Sequence, residues 1–269
     1  MTTPDALPAG IDATKASAAR MYDYYLGGTH NLPVDRELAD QVIALLPKTP
    51  LIMRANRLFL RRAVDYCARA GVRQFLDLGA GIPTEGPVHE VARAVHPDAR
   101  VVYVDNEEAA TIHGREILRG DAGCGVVHAD LRDAQSVLDH PETRRLIDFS
   151  EPVAVLLLSV LQFVPDEDDP AGVVAAYRDR LRPGSRLALS HATDEGMTEQ
   201  SSDITAIYAR SANPIRYRPI EAVRAMFAGF DLVEPGLTHI PAWRADPADH
   251  AGAPLLGRVH GAAGVGVKR

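Results

Sequence analysis

The stretch QFLDLGAGIPT, residues 74–84, decides the fold. Its first five residues read as a short buried strand. Gly79-Ala80-Gly81 follows at once, ahead of a helical pattern over residues 85–95. Glycines at such a turn admit a tight backbone and let a ligand lie against it with no Cβ between them. Two glycines alone also fit an ordinary strand–helix connection, so the flanking sequence has to choose between the readings.

Downstream, strand-like runs alternate with helical patterns. RVVYVD (100–105), residues 125–128, PVAVLLL (152–158) and RLALS (186–190) are strands, with helices predicted over 107–118, 135–140 and 172–181. Residues 203–210 and 220–227 add helical patterns, and 230–233 and 258–267 add two last strands. Such alternation implies a mostly parallel sheet with right-handed crossovers, and the unbroken apolar run at 153–158 marks a strand covered on both faces. Upstream, helical spacing runs over 15–26, 35–46 and 49–70, with Gly27-Gly28 and Gly71 as stops and Thr49-Pro50 as a start. The expected architecture is therefore α/β, a Rossmann-like class I fold with a seven-stranded, mostly parallel sheet and an N-terminal helical extension. Its expected parts are a loose arm (1–14), a helical cap or lid (15–71) and a nucleoside-binding domain (72–269).

Composition narrows the function. The 269 residues carry a formal net charge of −7, which argues against a broad nucleic-acid surface. Cys67 and Cys124 lack metal-ligand or disulfide spacing, and the first residues hold no apolar signal core, so a reducing cytoplasmic setting is expected. The longest apolar run, residues 153–164, is shorter than the ~20 residues a membrane helix needs.

Which nucleoside the turn serves follows from its neighbours. Asp105 closes the second strand, where a carboxylate faces the ribose of a bound nucleoside, and Asp130 follows the third, beside the base. The third glycine of a dinucleotide fingerprint is replaced by Pro83-Thr84, and Asp77 sets a negative charge beside the turn. That charge repels a pyrophosphate and suits a ligand with an ammonium and a sulfonium, which describes S-adenosylmethionine. No Walker lysine and no Y-x-x-x-K pair is present. Methyl transfer thus ranks first. A cofactor-binding regulator or sensor without turnover and an NAD(P)-dependent oxidoreductase are the standing alternatives. Ser159-Val160-Leu161-Gln162 stands where base aminomethylases carry Asp/Asn-Pro-Pro-Tyr/Phe, so a small-molecule acceptor is expected.

With these residues in hand, the chain resembles the actinobacterial S-adenosyl methyltransferase family formerly classed as a domain of unknown function. The resemblance rests on ARMYDYYLGGTHN (19–31), RANRLFLRRAV (54–64), QFLDLGAGIPT (74–84), VYVDNE (102–107), HADLRD (128–133), FVPDEDDPAG (163–172), LSHAT (189–193) and LVEPG (232–236). It implies a Rossmann-like methyltransferase with the cofactor at the glycine turn, Asp105 and Asp130. Thr29-His30 stands where many members carry Lys-Asp, and Gln162 where many carry His, so acceptor choice does not carry over.

The expected cofactor residues are Asp77, Gly79, Ala80, Gly81, Asp105, Asn106, Asp130, Leu131 and Ser159. Asp105 is expected to face water when no ligand is bound. Tyr22, Tyr25, His30 and Asn31 form either a lid hinged on Gly27-Gly28 or a helix packing its tyrosines on the sheet. Arg54 and Arg57 either gather an anionic group or lie on a solvated helix face, and Gln162 sits where an acceptor contact is expected. His191, after the fifth strand, is the candidate general base, with a structural histidine as the alternative. The acidic run 166–169 is expected to be a solvated helix start, not a metal site, and no metal is expected.

Overall fold

The computed structural model describes residues 11–195, 199–246 and 261–269. Most of the expected arm and the first residues of the expected last strand (258–260) lie outside the described residues.

Five parallel strands follow the apolar runs: β1 (Gln74–Leu78), β2 (Arg100–Asp105), β3 (Cys124–His128), β4 (Ala154–Leu158) and β5 (Arg186–Ala192). β6 (Phe230–Leu232), β7 (Thr238–His239) and β8 (Gly261–Lys268) complete the sheet, with β8 antiparallel to all three of its neighbours. The order is β3-β2-β1-β4-β5-β8-β6, with β7 paired to β8 off this path. The fold is thus the expected one with eight strands among the described residues; the two-residue β7 is too short for any periodicity to announce. Strand order reverses between β1 and β4, and a ligand crevice opens at the carboxyl ends of strands flanking such a switch.

Alternation along the strands sends side chains to two cores. Leu76, Leu78, Val102, Val104, Val155 and Leu157 face one side, covered by α6 (Ala134–Asp139), α7 (Pro141–Leu146), α8 (Pro170–Arg178) and α10 (Ile220–Ala225). Phe75, Val101, Tyr103 and Leu156 face the other. There α3 (Thr49–Arg69) buries Ala55, Phe59, Ala63 and Cys67, a four-residue spacing that lays one helical stripe on the sheet, beside α4 (Val88–Arg93). Pro50 sits in the first turn of α3, but Lys48 occupies the cap position; Thr49 instead donates its hydroxyl to Leu46 O at 2.7 Å. The remaining helix of the sheet layer, α5 (Glu108–Ile117), follows β2.

A third core lies over the strand ends. α1 (Ala18–Leu26) and α2 (Pro33–Leu45) pack Met21, Tyr25, Leu38, Ala39 and Val42 against Ile204, Ile207 and Tyr208 of α9 (Glu199–Tyr208) and against Ile215. The cap over the crevice is therefore built from two distant stretches of chain, whereas α3 belongs to the sheet core. Ser17 caps α1 by accepting Arg20 N–H, and Gly27, at φ 87°, ends it. Arg20 and Asp35, both buried, bind Nε to Oδ2 at 2.7 Å and lock α1 to α2. No helix among the described residues is long and apolar enough to cross a membrane.

Candidate functional site

A cavity of about 550 Å³ lies between the strand ends and the cap, within the ~300–1,000 Å³ usual for small-ligand sites. Asp77, Gly79, Ala80, Gly81, Asp105, Asn106, Asp130, Leu131 and Ser159 all line it.

The glycine turn is held from both sides. Gly79 and Ala80 donate their N–H groups to Val104 O at 2.8 and 3.1 Å. Gly79 adopts φ +69°, and a Cβ there would collide with Val160 Cγ2, so no other residue fits. At Gly81, with φ +59°, an added Cβ would meet nothing among the described residues nearer than Ala19 Cβ of the cap, at 3.9 Å. Gly81 therefore leaves an open cradle on the cavity side.

Asp105 does not simply face water, which corrects the expectation. Its Oδ2 accepts Gly81 N–H and its Oδ1 accepts Glu107 N–H, each at 2.8 Å. Desolvation raises its pKa against the pull of those donors. Asp77 is buried on the α3 side of β1, and burial pushes its carboxyl up to about 7, with Arg57 opposing. Glu107, which sequence reasoning did not single out, is a third such group. Burial and then the charge of Asp105 push it up to about 7, while Ser17 Oγ donates a short hydrogen bond to it and Ala19 N–H a longer one. The Ser-capped start of α1 is thus buckled to the end of β2. The clue in the sequence was Glu107 directly after Asp105-Asn106, but its partner lies ninety residues upstream.

Asp130 lines the cavity with its carboxylate held by Arg132, which donates its backbone N–H and its guanidinium; that pairing lowers the Asp130 pKa. Arg132 also reaches Asp168. The acidic run forms a short 3-10 turn at Asp166–Asp168, and Asp169 caps α8 by accepting Gly172 N–H. No cluster able to hold a metal ion occurs among the described residues.

Ser159 follows β4 in a left-handed conformation, φ +54°, which few non-glycine residues adopt, with its N–H on Ser190 O. A polar chain starts there. Ser190 Oγ donates to Asn56 Oδ1 at 2.6 Å, Asn56 Nδ2 donates to Tyr22 OH at 3.1 Å, and Tyr22 OH donates to Met53 O at 3.2 Å. Tyr22, Tyr25, Arg57 and Gln162 line the cavity. Tyr25 is buried with its hydroxyl 3.4 Å from that of Tyr208, so α1 both closes the cavity and packs as a core helix. Arg57 donates to Glu85 O, and Gln162 Oε1 accepts Ala192 N–H at 3.1 Å.

Four expected residues are not brought to the cavity. Arg54 is exposed on α3. His30 stacks edge-on against His113 with ring centroids 4.7 Å apart. Asn31 is buried, donating Nδ2 to Asp23 and to Gly28 O, and so fastens the loop after α1. His191 is the clearest correction. It is fully buried inside β5; Nδ1–H donates to Ala192 O at 2.7 Å, and Nε2 accepts from Arg218 at 2.9 Å. Burial first, then the guanidinium, lowers its pKa to about 4, so it stays neutral with both nitrogens occupied and cannot serve as a base.

What fits this cavity follows from its polar groups. Three carboxylates crowd the strand ends, Asp77 buried and Asp105 and Glu107 half-buried; burial raises the pKa of each, that of Asp77 and Glu107 to about 7, and Gly81 leaves space for close backbone approach. A ligand bearing positive charge beside a diol relieves both features, as S-adenosylmethionine would. The comparisons agree. A family model described as S-adenosyl methyltransferase matches residues 4–269. A DUF574 family protein from Streptomyces avermitilis MA-4680 shares 37% identity at TM-score 0.91, covering 96% of this chain and 99% of its own. A protein from Thermobifida fusca YX, provisionally assigned as a methyltransferase, shares 39% at TM-score 0.89, covering 99% and 100%. At 8% identity and TM-score 0.53, over 93% of this chain and 95% of its own, the plantazolicin methyltransferase BamL, solved with SAH and a triazolic desmethylPZN analog, shares the fold alone. No curated protein matches the chain. With the glycine turn, the acidic strand ends and a family model spanning nearly every residue, the chain belongs to the S-adenosyl methyltransferase family.

Proposed function

We propose that the protein methylates a small molecule held under the cap, next to S-adenosylmethionine seated on the strand ends. The observation that carries this reading is the continuity of the cavity: one space of about 550 Å³ is lined by the glycine turn and also by Tyr25, Val42 and Tyr208 of the cap. When bound, the cofactor supplies an electrophilic methyl on a sulfonium.

The chain's own residues do the rest. Gly79 and Gly81 shape the cradle, Asp105 is assigned to the ribose hydroxyls, Asp77 to the ammonium, and Asp130, Asn106 and Leu131 to the base edge. Ser159 and the Asn56–Tyr22 chain position the wall between the two halves. α1 excludes water, and holding the reactants in line can be worth roughly 7–11 kcal/mol. Titration calorimetry with S-adenosylmethionine and with S-adenosylhomocysteine, followed by transfer of labelled methyl into small-molecule extracts, tests the proposal. Label entering a small molecule supports it. Tight binding of both ligands with no label transferred to any fraction would instead leave a sensor.

A further inference from the structure

The cap side of the cavity differs chemically from the strand ends. Its walls include Tyr25, Val42, Ile52, Met53, Ile204 and Ile215, and burial raises the pKa of the Tyr25 and Tyr208 hydroxyls, keeping them neutral. The lining carboxylates Asp77, Asp105, Glu107 and Asp130 stand at or just after the strand ends, and Glu85 lies beyond the glycine turn. Asp23, on α1, is tied to its own loop through one oxygen. Oδ2 accepts His30 N–H and Asn31 Nδ2, while Oδ1, buried and without a hydrogen-bond partner, lies where a Cβ on Gly28 would stand. Among the described residues, no histidine, lysine or cysteine lines the cavity. Arg216 is exposed and donates to Ile215 O, and Arg57 is held by Glu85 O. The polar groups left on this side are amides and hydroxyls, with Asn56 and Gln162 already engaged by Ser190, Tyr22 and Ala192.

Resting on the methyl-transfer reading above, we infer that the acceptor is an uncharged, largely apolar ring compound bearing a phenolic or enolic hydroxyl that ionises without a protein base. A permanently cationic acceptor would be stripped of water against this wall, and an anionic one would have to draw Arg57 or Arg216 off the backbone carbonyls they bond; either is costly. An aliphatic alcohol would need a base, and among the described residues this wall offers none. A phenol or enol loses its proton to water on its own, and the resulting oxyanion finds its counter-charge in the sulfonium. The oxygen lone pair then forms the C–O bond as the S–CH₃ bond breaks with its electron pair going to sulfur. Two charges disappear together, and a dry, apolar wall favours that outcome over their separation. The products are a neutral methyl ether and S-adenosylhomocysteine.

The test uses the full chain saturated with S-adenosylhomocysteine, whose binding is measured first. Calorimetry then compares 2-naphthol with 6-hydroxy-2-naphthoate, and 2-naphthol should bind at least about tenfold more tightly. In a second arm, labelled methyl transfer to phenols of graded acidity is followed against pH, and the midpoint of each rise should move with the acidity of the phenol. Equal or tighter binding of the carboxylate, no binding of the naphthol, or one common midpoint for every phenol overturns the inference. Failure of S-adenosylhomocysteine itself to bind would instead strike the cofactor assignment.

Discussion

Replacing Asp105 by Asn separates the clamp that the structure shows from the ribose contact proposed for the same carboxylate. The side chain accepts Gly81 N–H and Glu107 N–H at 2.8 Å each, one on either oxygen. Asparagine keeps the shape but only one of those oxygens, and its NH₂ then points a donor at a donor. Leaving such a half-buried N–H unsatisfied costs up to about 1–3 kcal/mol. Removing a carboxylate whose pKa burial already raises gives part of that back, so a net loss of about 1–2 kcal/mol is expected. For a domain of this size that lowers the ligand-free melting temperature by roughly 2–8 °C. Affinity for S-adenosylhomocysteine should fall about tenfold or more, since charge-assisted bonds to the ribose contribute about 1.5–3 kcal/mol each. Calorimetric melts without ligand and titrations with it read the two effects apart. An unchanged melt would refute the clamp on the glycine turn, and unchanged affinity would refute ribose recognition by Asp105.

Other substitutions reach other parts of the same argument. Gly79→Ala should destabilise by about 2–4 kcal/mol in urea unfolding, because its Cβ adds a clash with Val160 to the cost of positive φ. Gly81→Ala should cost only about 1 kcal/mol yet weaken cofactor binding, and equal stability losses for the two would refute this reading of the turn. With Asp77 and Glu107 pushed up to about 7, the folded state holds protons that the unfolded chain releases near pH 4. Ligand-free stability should therefore decline between about pH 4 and 7 and level off above. A cationic ligand favours the ionised groups, so S-adenosylmethionine affinity should climb up to about pH 7; a flat profile from pH 5.5 to 8 in titration calorimetry would contradict the assignment. Arg20→Ala leaves the fully buried Asp35 without its ion partner and should cost about 3–5 kcal/mol, softened by the Ser17 and Leu32 N–H groups that also reach Asp35. A loss below ~1 kcal/mol in denaturant unfolding would mean that the α1–α2 lock is not structural.

The sheet, and the arrival of its acidic strand ends at the cavity, were legible because they depend on local rules. A period of two fixes which strand residues face each core, and a carboxylate at the last position of β2 emerges at the carboxyl edge of the sheet, one strand from the switch point. His191 escaped the same logic through its partner strand. The expected end of β5 at Ser190 would have freed the histidine, but β8 continues the ladder, pairing His191 with Ala262 and Ala192 with Gly261. The side chain therefore stays inside the sheet, where Arg218 from beyond α9 meets it. The cap was misjudged for a related reason. Helical spacing announced α1 and α2, but not that α9 and residues 211–217 would complete their core, through contacts such as Ala18 N–H to Asn213 Oδ1 and Ala212 N–H to Ala16 O. In the proposed methyl transfer the acceptor wall is made at this long-range junction, so the sequence announced the cofactor before it said anything of the molecule to be methylated. Under that proposal, specificity rests on the discontinuous cap and cofactor binding on the continuous strand–turn–helix run. Substitutions in the cap core can then change the acceptor while the glycine turn, Asp77 and Asp105 stay as they are.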